Sequence, residues 1–183
     1  MNIRKSIGWI GTAVLVLGGF AGAFTVRAAD KPDSEQVSKL LSEARNMAFQ
    51  LKDDADTMQT FTMTKVSWET HRDAMSRIKE HVNAFAQKVD ELKAAKEEAS
   101  PWQRTVIERI DPFIDELNGY SEAVIENLSK HPERLNTPEY KEYLNANADF
   151  AADMASMIAD FVDYGRTKDR LENLGYKLEV PGR

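Results

Sequence analysis

Cysteine is absent from this sequence of 183 residues, and histidine, proline and glycine are scarce, with 3, 6 and 9 copies. The absence of cysteine excludes disulfides, thiolate metal sites, iron–sulfur clusters, covalently attached c-type haem and cysteine nucleophiles. The residues that are present, 42% hydrophobic and 30% charged, have the composition of one ordinary globular domain rather than of a disordered or fibrous chain.

The chain has no excess of positive charge. It contains 24 lysines and arginines and 30 acidic residues, so its formal net charge is −6. Such a field repels nucleic acid and anionic lipid, so we expect no nucleic-acid partner. The sequence has no glycine-rich phosphate loop and no recognisable context for a serine or threonine nucleophile. These absences predict a protein that is not an enzyme and that holds no cofactor.

The N-terminal segment, residues 1–28, differs from the rest of the chain. Arg4 and Lys5 form a basic start, and an uncharged, largely apolar run follows over residues 6–26. This order is typical of a secretory signal peptide, which takes no part in the fold of the mature protein.

The sequence is compatible both with cleavage of this segment and with its retention as an anchor. Small residues offer cleavage sites after Ala23 and after Ala28. Residues 7–26 are also long enough, at about 20 residues, to cross a bilayer as an uncleaved anchor, and this would be the only membrane contact. The basic start places residues 30–183 outside the cytoplasm in either case, as a periplasmic, secreted or outward-facing anchored protein.

Apolar residues recur at alternating steps of three and four from Ser34 onward, which is the period of amphipathic helices. The spacing predicts helices at about 34–63, 67–98, 101–128 and 138–173, within a bundle over residues 30–175 and before a flexible tail over 176–183.

Local signals place the boundaries of these helices. Ser67, Ser100-Pro101 and Thr137-Pro138 are typical helix starts, and Gly175 is a typical stop. Pro112 falls inside the third helix, where it predicts a kink or a break.

Short connections force neighbouring helices to run in opposite directions. The predicted fold is therefore all-α, an antiparallel up-down-up-down four-helix bundle with coiled-coil-like packing, preceded by the signal peptide or anchor. This architecture is similar to that of extracytoplasmic four-helix bundles such as periplasmic sensor domains and bundle cytochromes. The similarity is one of fold alone, and it transfers no functional residue.

Three polar residues on or beside the apolar stripes, Asp54, Asn118 and Asn147, fall at one level when the helices are counted from the first turn. One interpretation is a polar layer that fixes the register of the bundle. The other is a small polar pocket that recognises an amine or a metal ion through Asp54.

A second group of candidates lies near the first turn. His71 is on the predicted core side, where a hydrogen-bonded core histidine is the simpler interpretation and a ligand the alternative. Met58, Met63, His71 and Met75 are weak candidates for a haem or copper site, because thioethers suit Cu(I). Di-iron sites are excluded because no Glu-x-x-His pair occurs.

The sequence thus predicts an exported, acidic helical-bundle protein that serves the cell envelope as a structural or protein-interaction module. The alternative is a periplasmic carrier or sensor of a small molecule, haem or metal in the bundle interior. A protein partner or self-association is expected, and the apolar positions expected to remain for self-association are Leu41, Ile107, Ile114, Leu144 and Ile158.

Overall fold

A computed structural model describes residues 31–179, so the predicted signal peptide or anchor lies outside the described residues. This part of the chain contains no strand and folds into four long helices, α1 (Glu35–Thr60), α2 (Trp68–Ala94), α3 (Pro101–Lys130) and α4 (Pro138–Lys177). Short 3₁₀ helices, Lys96–Glu98 and Pro132–Arg134, lie in two of the connections. No helix among residues 31–179 is long and apolar enough to cross a membrane.

Side-chain caps explain where three of the helices begin. The Oγ atoms of Ser34 and Ser67 accept hydrogen bonds from backbone amides in the first turns of α1 and α2. Thr137 Oγ1 does the same for α4 and accepts from the amide of Tyr140 at 3.3 Å. Each cap satisfies an amide that has no partner inside its helix, as the sequence predicts for Ser67 and Thr137.

Two expected helix ends differ in the structure. Pro112 does not break α3, which is continuous from Pro101 to Lys130. The proline and Glu108, whose carbonyl loses its partner, are both exposed, so water satisfies that carbonyl. Gly175 does not stop α4 either, and the helix runs on to Lys177 within the segment predicted as a tail.

The helices pack in a closed ring, in which each contacts its neighbour in the chain and α1 contacts α4. The indole of Trp68, at the start of α2, donates to the carbonyl of Leu128 near the end of α3 at 3.2 Å. Just beyond the other end of α2, Lys96 pairs with Glu108 near the start of α3 at 2.8 Å. These contacts place α2 and α3 in opposite directions.

Alternate members of the predicted stripes are buried as expected: Val37, Ala44, Leu51 and Met58 on α1, and Tyr140, Asn147 and Met154 on α4. At the positions between them, the core face is formed by the next residue along the chain, for example Ala48 and Ile158 instead of Met47 and Met157. Small alanines occupy positions on the inner face, where they let the helices approach closely. The positions expected to remain for self-association are consequently core residues, each no more than 5% exposed, and that expectation is corrected: Leu41, Ile107, Ile114, Leu144 and Ile158.

Candidate functional site

The residues of the predicted polar layer differ in burial and in their hydrogen-bond partners. Asp54 lies at the edge of the interface between α1 and α2 and is hydrogen-bonded to Nδ1 of His81. Gln50 Nε2 lies 3.0 Å from His81 Nε2. With the proton on Nδ1, His81 donates to Asp54 and accepts from Gln50, so the carboxylate has a partner and does not point into an open interior pocket.

Asn147 is instead inside the bundle, where its Oδ1 atom is buried without a hydrogen-bond partner. Ser121 on α3 is also buried, and its Oγ has no partner either. Three alanines form a separate small core cluster, Ala55, Ala148 and Ala151. Asn118 is half-buried on α3. The three predicted residues thus differ in surroundings: Asp54 is paired with His81, Asn147 is buried with Oδ1 unpaired, and Asn118 is half-buried.

His71 is a buried residue with a partner. Its Nδ1 lies 3.0 Å from the hydroxyl of Tyr140, and the rings of Phe61 and Tyr140 meet its imidazole edge to face. Burial lowers the pKa of His71 and raises the pKa of Tyr140, because each loses the water that stabilises its charged form. Both groups are therefore neutral at neutral pH, and the contact is one hydrogen bond between uncharged rings.

The methionine candidates differ in burial. Met58 and Met75 are buried in the core, but Met63 is 83% exposed in the turn after α1. Among residues 31–179, no group of three or more histidine, aspartate or glutamate side chains is arranged to hold a metal ion. The observed role of Met58 and Met75 is to fill the core, as unbranched side chains do well.

Aromatic side chains line the seam between α3 and α4 on the outside of the bundle. Phe113 and Tyr120 on α3 contact Phe150 on α4, with ring centroids 4.9 and 5.9 Å apart. Closer to the start of α3, Trp102 meets Tyr164 edge to face at 5.6 Å. Tyr164 is exposed, and the other five rings are half-buried, so each of those is only partly open to solvent. We call these six rings the α3–α4 aromatic face: Trp102, Phe113, Tyr120, Phe150, Phe161 and Tyr164.

One part of this face opens into a groove of about 630 Å³. We call it the α3–α4 groove; its apolar walls are Trp102, Met157, Phe161 and Tyr164, and its polar rim is Thr105, Arg109, Asp153, Ser156 and Asp160. The guanidinium of Arg109 lies over the ring of Phe161, 5.5 Å from its centroid. Aromatic and apolar walls with a few charged groups at the rim are the ordinary make-up of a binding surface.

Trp102 has a defined position at the end of the groove. Its indole nitrogen donates to Oδ1 of Asp33 at 2.7 Å, and Lys168 donates to the other oxygen of the same carboxylate at 2.9 Å. Burial opposes the ionisation of Asp33, but the hydroxyl of Ser100, Lys168 and the indole of Trp102 together outweigh it and lower the pKa of this carboxyl. A Cβ added to Gly165 would lie 2.7 Å from the Trp102 ring, so only glycine permits this close approach.

Gln103, which the sequence reasoning missed, supports the same end of the bundle from inside. This fully buried side chain accepts at Oε1 from the amides of Ser34 and Ser100, both at 3.0 Å. Its Nε2 donates to the carbonyl of Ser34 and the hydroxyl of Ser38. The signal was present in the sequence, because a glutamine three residues after a helix-capping serine is typical of a capping box.

The last part of α4 continues beyond the packed core. None of residues 166–179 is buried, and we call residues 166–178 the α4 extension. One side of it, with Asp169, Glu172, Asn173 and Tyr176, lines a cleft beside residues 32–38. The other side carries three exposed leucines, Leu171 at 64%, Leu174 at 44% and Leu178 at 67% exposure.

The exposed leucines prolong the wall of the groove along one side of α4. Met157, Phe161, Tyr164, Lys168, Leu171, Gly175 and Leu178 follow one another at alternating steps of four and three. The alternating period predicts Met157, Phe161 and Tyr164 in the core. A second apolar stripe lies beside them, and the structure places that one inside: Leu144, Ala148, Ala151, Ala155, Ile158 and Val162.

Comparison of the chain with protein-family models, with curated proteins and with solved structures finds no match. The candidate site is therefore defined by geometry alone. It consists of the α3–α4 groove and the α4 extension.

Proposed function

We propose that this chain is an exported protein-interaction module of the cell envelope, built as an up-down-up-down four-helix bundle with coiled-coil-like packing. The observation that carries the proposal is the α3–α4 aromatic face, with its groove and the adjoining leucines of the α4 extension. Contiguous exposed apolar surface of this kind is uncommon on a protein that has no partner.

The chemistry of the face suits a protein partner. Tryptophan, tyrosine, phenylalanine, methionine and arginine are the residue types that are enriched at protein interfaces, and the groove contains all five. Trp102 is held by Asp33 and packs against Tyr164, so binding would immobilise few additional side chains. A rigid aromatic anchor beside an exposed apolar stripe can bind a helix of a partner.

A carrier of an apolar small molecule is the second candidate, because the groove volume lies within the range of about 300–1,000 Å³ that is common for small-molecule sites. The groove has aromatic walls and carboxylates at the rim, so its ligand would be an amphiphile with a cationic group. Native mass spectrometry of the protein from its own host distinguishes the two, because a carrier retains a ligand of one defined mass.

The export part of the proposal rests on the basic start and apolar run of residues 1–28. Intact-mass measurement of protein from the outside of the cell tests it. A mature chain that begins after Ala23 or Ala28 supports a signal peptide, and a full-length chain in the membrane fraction supports an anchor. Protein found only in the cytoplasm overturns export.

Photo-cross-linking in the host tests the interaction part. A photoreactive amino acid replaces Tyr164 at the end of the groove. In the control it replaces Met63, which is more exposed, at 83% against 54%, and lies at the opposite end of the bundle. We expect a discrete protein adduct from position 164 and none from position 63. Absence of a protein adduct at 164, or the same adducts from both positions, contradicts a partner at this face.

A further inference from the structure

We propose that the partner at the α3–α4 groove is a second copy of this chain, docked by exchange of the two α4 extensions about a two-fold axis. This inference rests on the proposed function and names the partner of the same surface. Each copy contains both halves of the interface: a groove with aromatic walls, and a protruding helical segment with three exposed leucines. A surface that contains both halves is self-complementary, as a closed two-fold interface requires.

The lengths of the two halves match. The groove follows α4 from Asp153 to Tyr164, and the exposed side of the extension runs from Leu171 to Leu178. At about 1.5 Å per residue these segments measure roughly 17 and 11 Å, so one fits within the other. Antiparallel alignment about an axis between Thr167 and Lys168 brings Leu178 level with Met157 and Leu171 level with Tyr164.

The charges of α4 favour this antiparallel arrangement. Its first part carries a single base, Lys141, among acidic residues: Glu139, Glu142, Asp149, Asp153, Asp160 and Asp163. The extension has the opposite balance, with Arg166, Lys168, Arg170 and Lys177 against Asp169 and Glu172. Antiparallel exchange places the basic extension of one copy on the acidic rim of the other, whereas parallel alignment would place like charges together.

One ion-pair opportunity follows from the same alignment. Lys177 of one copy comes within one helical turn of Asp160 at the groove rim of the other. Neither of these two charges is buried within its own chain. They are therefore free to select the antiparallel direction, while the leucines and aromatic rings contribute most of the binding.

The leucines of the α4 extension lie on the side of the helix that no other part of residues 31–179 covers, so a second copy can bind there. Asp169, Glu172, Asn173 and Tyr176 face residues 32–38 of the same chain, and the leucines lie on the far side of the helix. Docking of a second copy therefore covers the leucines without displacing the contacts that hold Asp33, Lys168 and Trp102 together.

Sedimentation equilibrium of the protein as isolated from its producing cell, in detergent if it is anchored, tests the proposal. We expect twice the monomer mass for the wild type. The double variant Leu171→Ser with Leu174→Ser should weaken the dimer by at least roughly 100-fold, because two leucines are lost on each side of a two-fold interface. At concentrations low enough for both proteins to be monomeric, its thermal unfolding should match that of the wild type, because neither leucine is buried within its own chain. Met63→Ser, at the opposite end, is the matched control and should remain dimeric.

Charge reversal gives a second, independent measurement that does not depend on apolar substitutions. Lys177→Glu should weaken the dimer by roughly threefold to tenfold, and Asp160→Lys in the same chain should restore it, because each copy supplies both partners. Restoration by a second charge reversal is not expected from a structural effect of either substitution alone.

A wild-type chain that is monomeric at all concentrations overturns the second copy as partner, and so does a dimer that survives loss of both leucines. The photo-cross-link at position 164 separates this failure from that of the proposed function. An adduct between two copies that contains residues 166–178 supports the exchange. An adduct with a different protein overturns the exchange and leaves the interaction module standing, whereas no protein adduct at 164 overturns both.

Discussion

The two ends of the bundle are held together by different forces. At the end where α1 and α3 begin, Gln103, Asp33 and Lys168 form hydrogen bonds that join three helices, and several of these bonds reach the main chain. At the opposite end, His71 and Tyr140 pack with neighbouring rings around one hydrogen bond between side chains. Hydrogen bonds predominate at the first end. Packed rings predominate at the second, where the indole of Trp68 also donates to the carbonyl of Leu128.

This difference agrees with the location of the candidate site. The hydrogen-bonded end positions Trp102, which is part of the groove wall, and the start of the α4 extension. A surface that must present one geometry to a partner benefits from bonds that have direction, because these specify distance and angle. The aromatic end needs only to exclude water, for which close packing is sufficient.

We expect the largest effect on stability from a substitution that removes the central hydrogen bonds of the polar end, which are those of Gln103. Gln103→Leu introduces an apolar side chain of similar size, which leaves the amides of Ser34 and Ser100 without a partner. We therefore expect a loss of about 2–4 kcal/mol in the free energy of unfolding. Urea denaturation measures it. Gln50→Leu, at an exposed glutamine that contacts His81, should change stability by less than about 0.5 kcal/mol. Equal losses in the two variants would show that Gln103 has no special role.

A smaller effect is expected where α4 passes Trp102. Gly165→Ala should cost about 1–2 kcal/mol, because the new methyl group lies 2.7 Å from the ring and forces it away from Asp33. Gly119→Ala is the matched control: it lies in α3 with nothing within 4 Å of the added Cβ, and it should gain up to about 1 kcal/mol from helix propensity. Chemical denaturation with tryptophan fluorescence measures both changes, and a gain in both variants would contradict the close packing of Trp102.

The smallest effect concerns the aromatic end and depends on pH. Because burial lowers the pKa of His71, the unfolded chain binds a proton below about pH 6.5 that the folded chain does not, and stability must fall as the pH falls through this window. The slope is at most about 1.4 kcal/mol per pH unit. Carboxylates with lowered pKa values, such as Asp33 and Glu43, act below about pH 4.5 and do not interfere.

Thermal unfolding between pH 7 and 5 measures this slope. His71→Phe should remove it, whereas His131→Asn, in the loop after α3, should keep it. The same slope in wild type and in His71→Phe would contradict the assignment to His71.

Much of the fold could be predicted from the sequence, and the reasons are local. Ser67 and Thr137 mark the starts of α2 and α4 because a cap needs only its own first turn. The candidate site could not be predicted in the same way. Asp54 and His81 are on different helices, and their pairing depends on how α1 and α2 are rotated against each other.

The sequence by itself determined that this chain is helical, where its helices begin, and that its chemistry does not involve cysteine. Only the tertiary structure decided which of the two apolar stripes of α4 faces inward. Periodicity gives the angle between residues of one helix but not the direction in which that helix faces. The direction was decided by packing, because alanines beside Leu144 and Ile158 allow a closer approach to the neighbouring helices than Phe161 and Tyr164 do. The aromatic stripe remained outside, and it is the surface on which the proposed function rests.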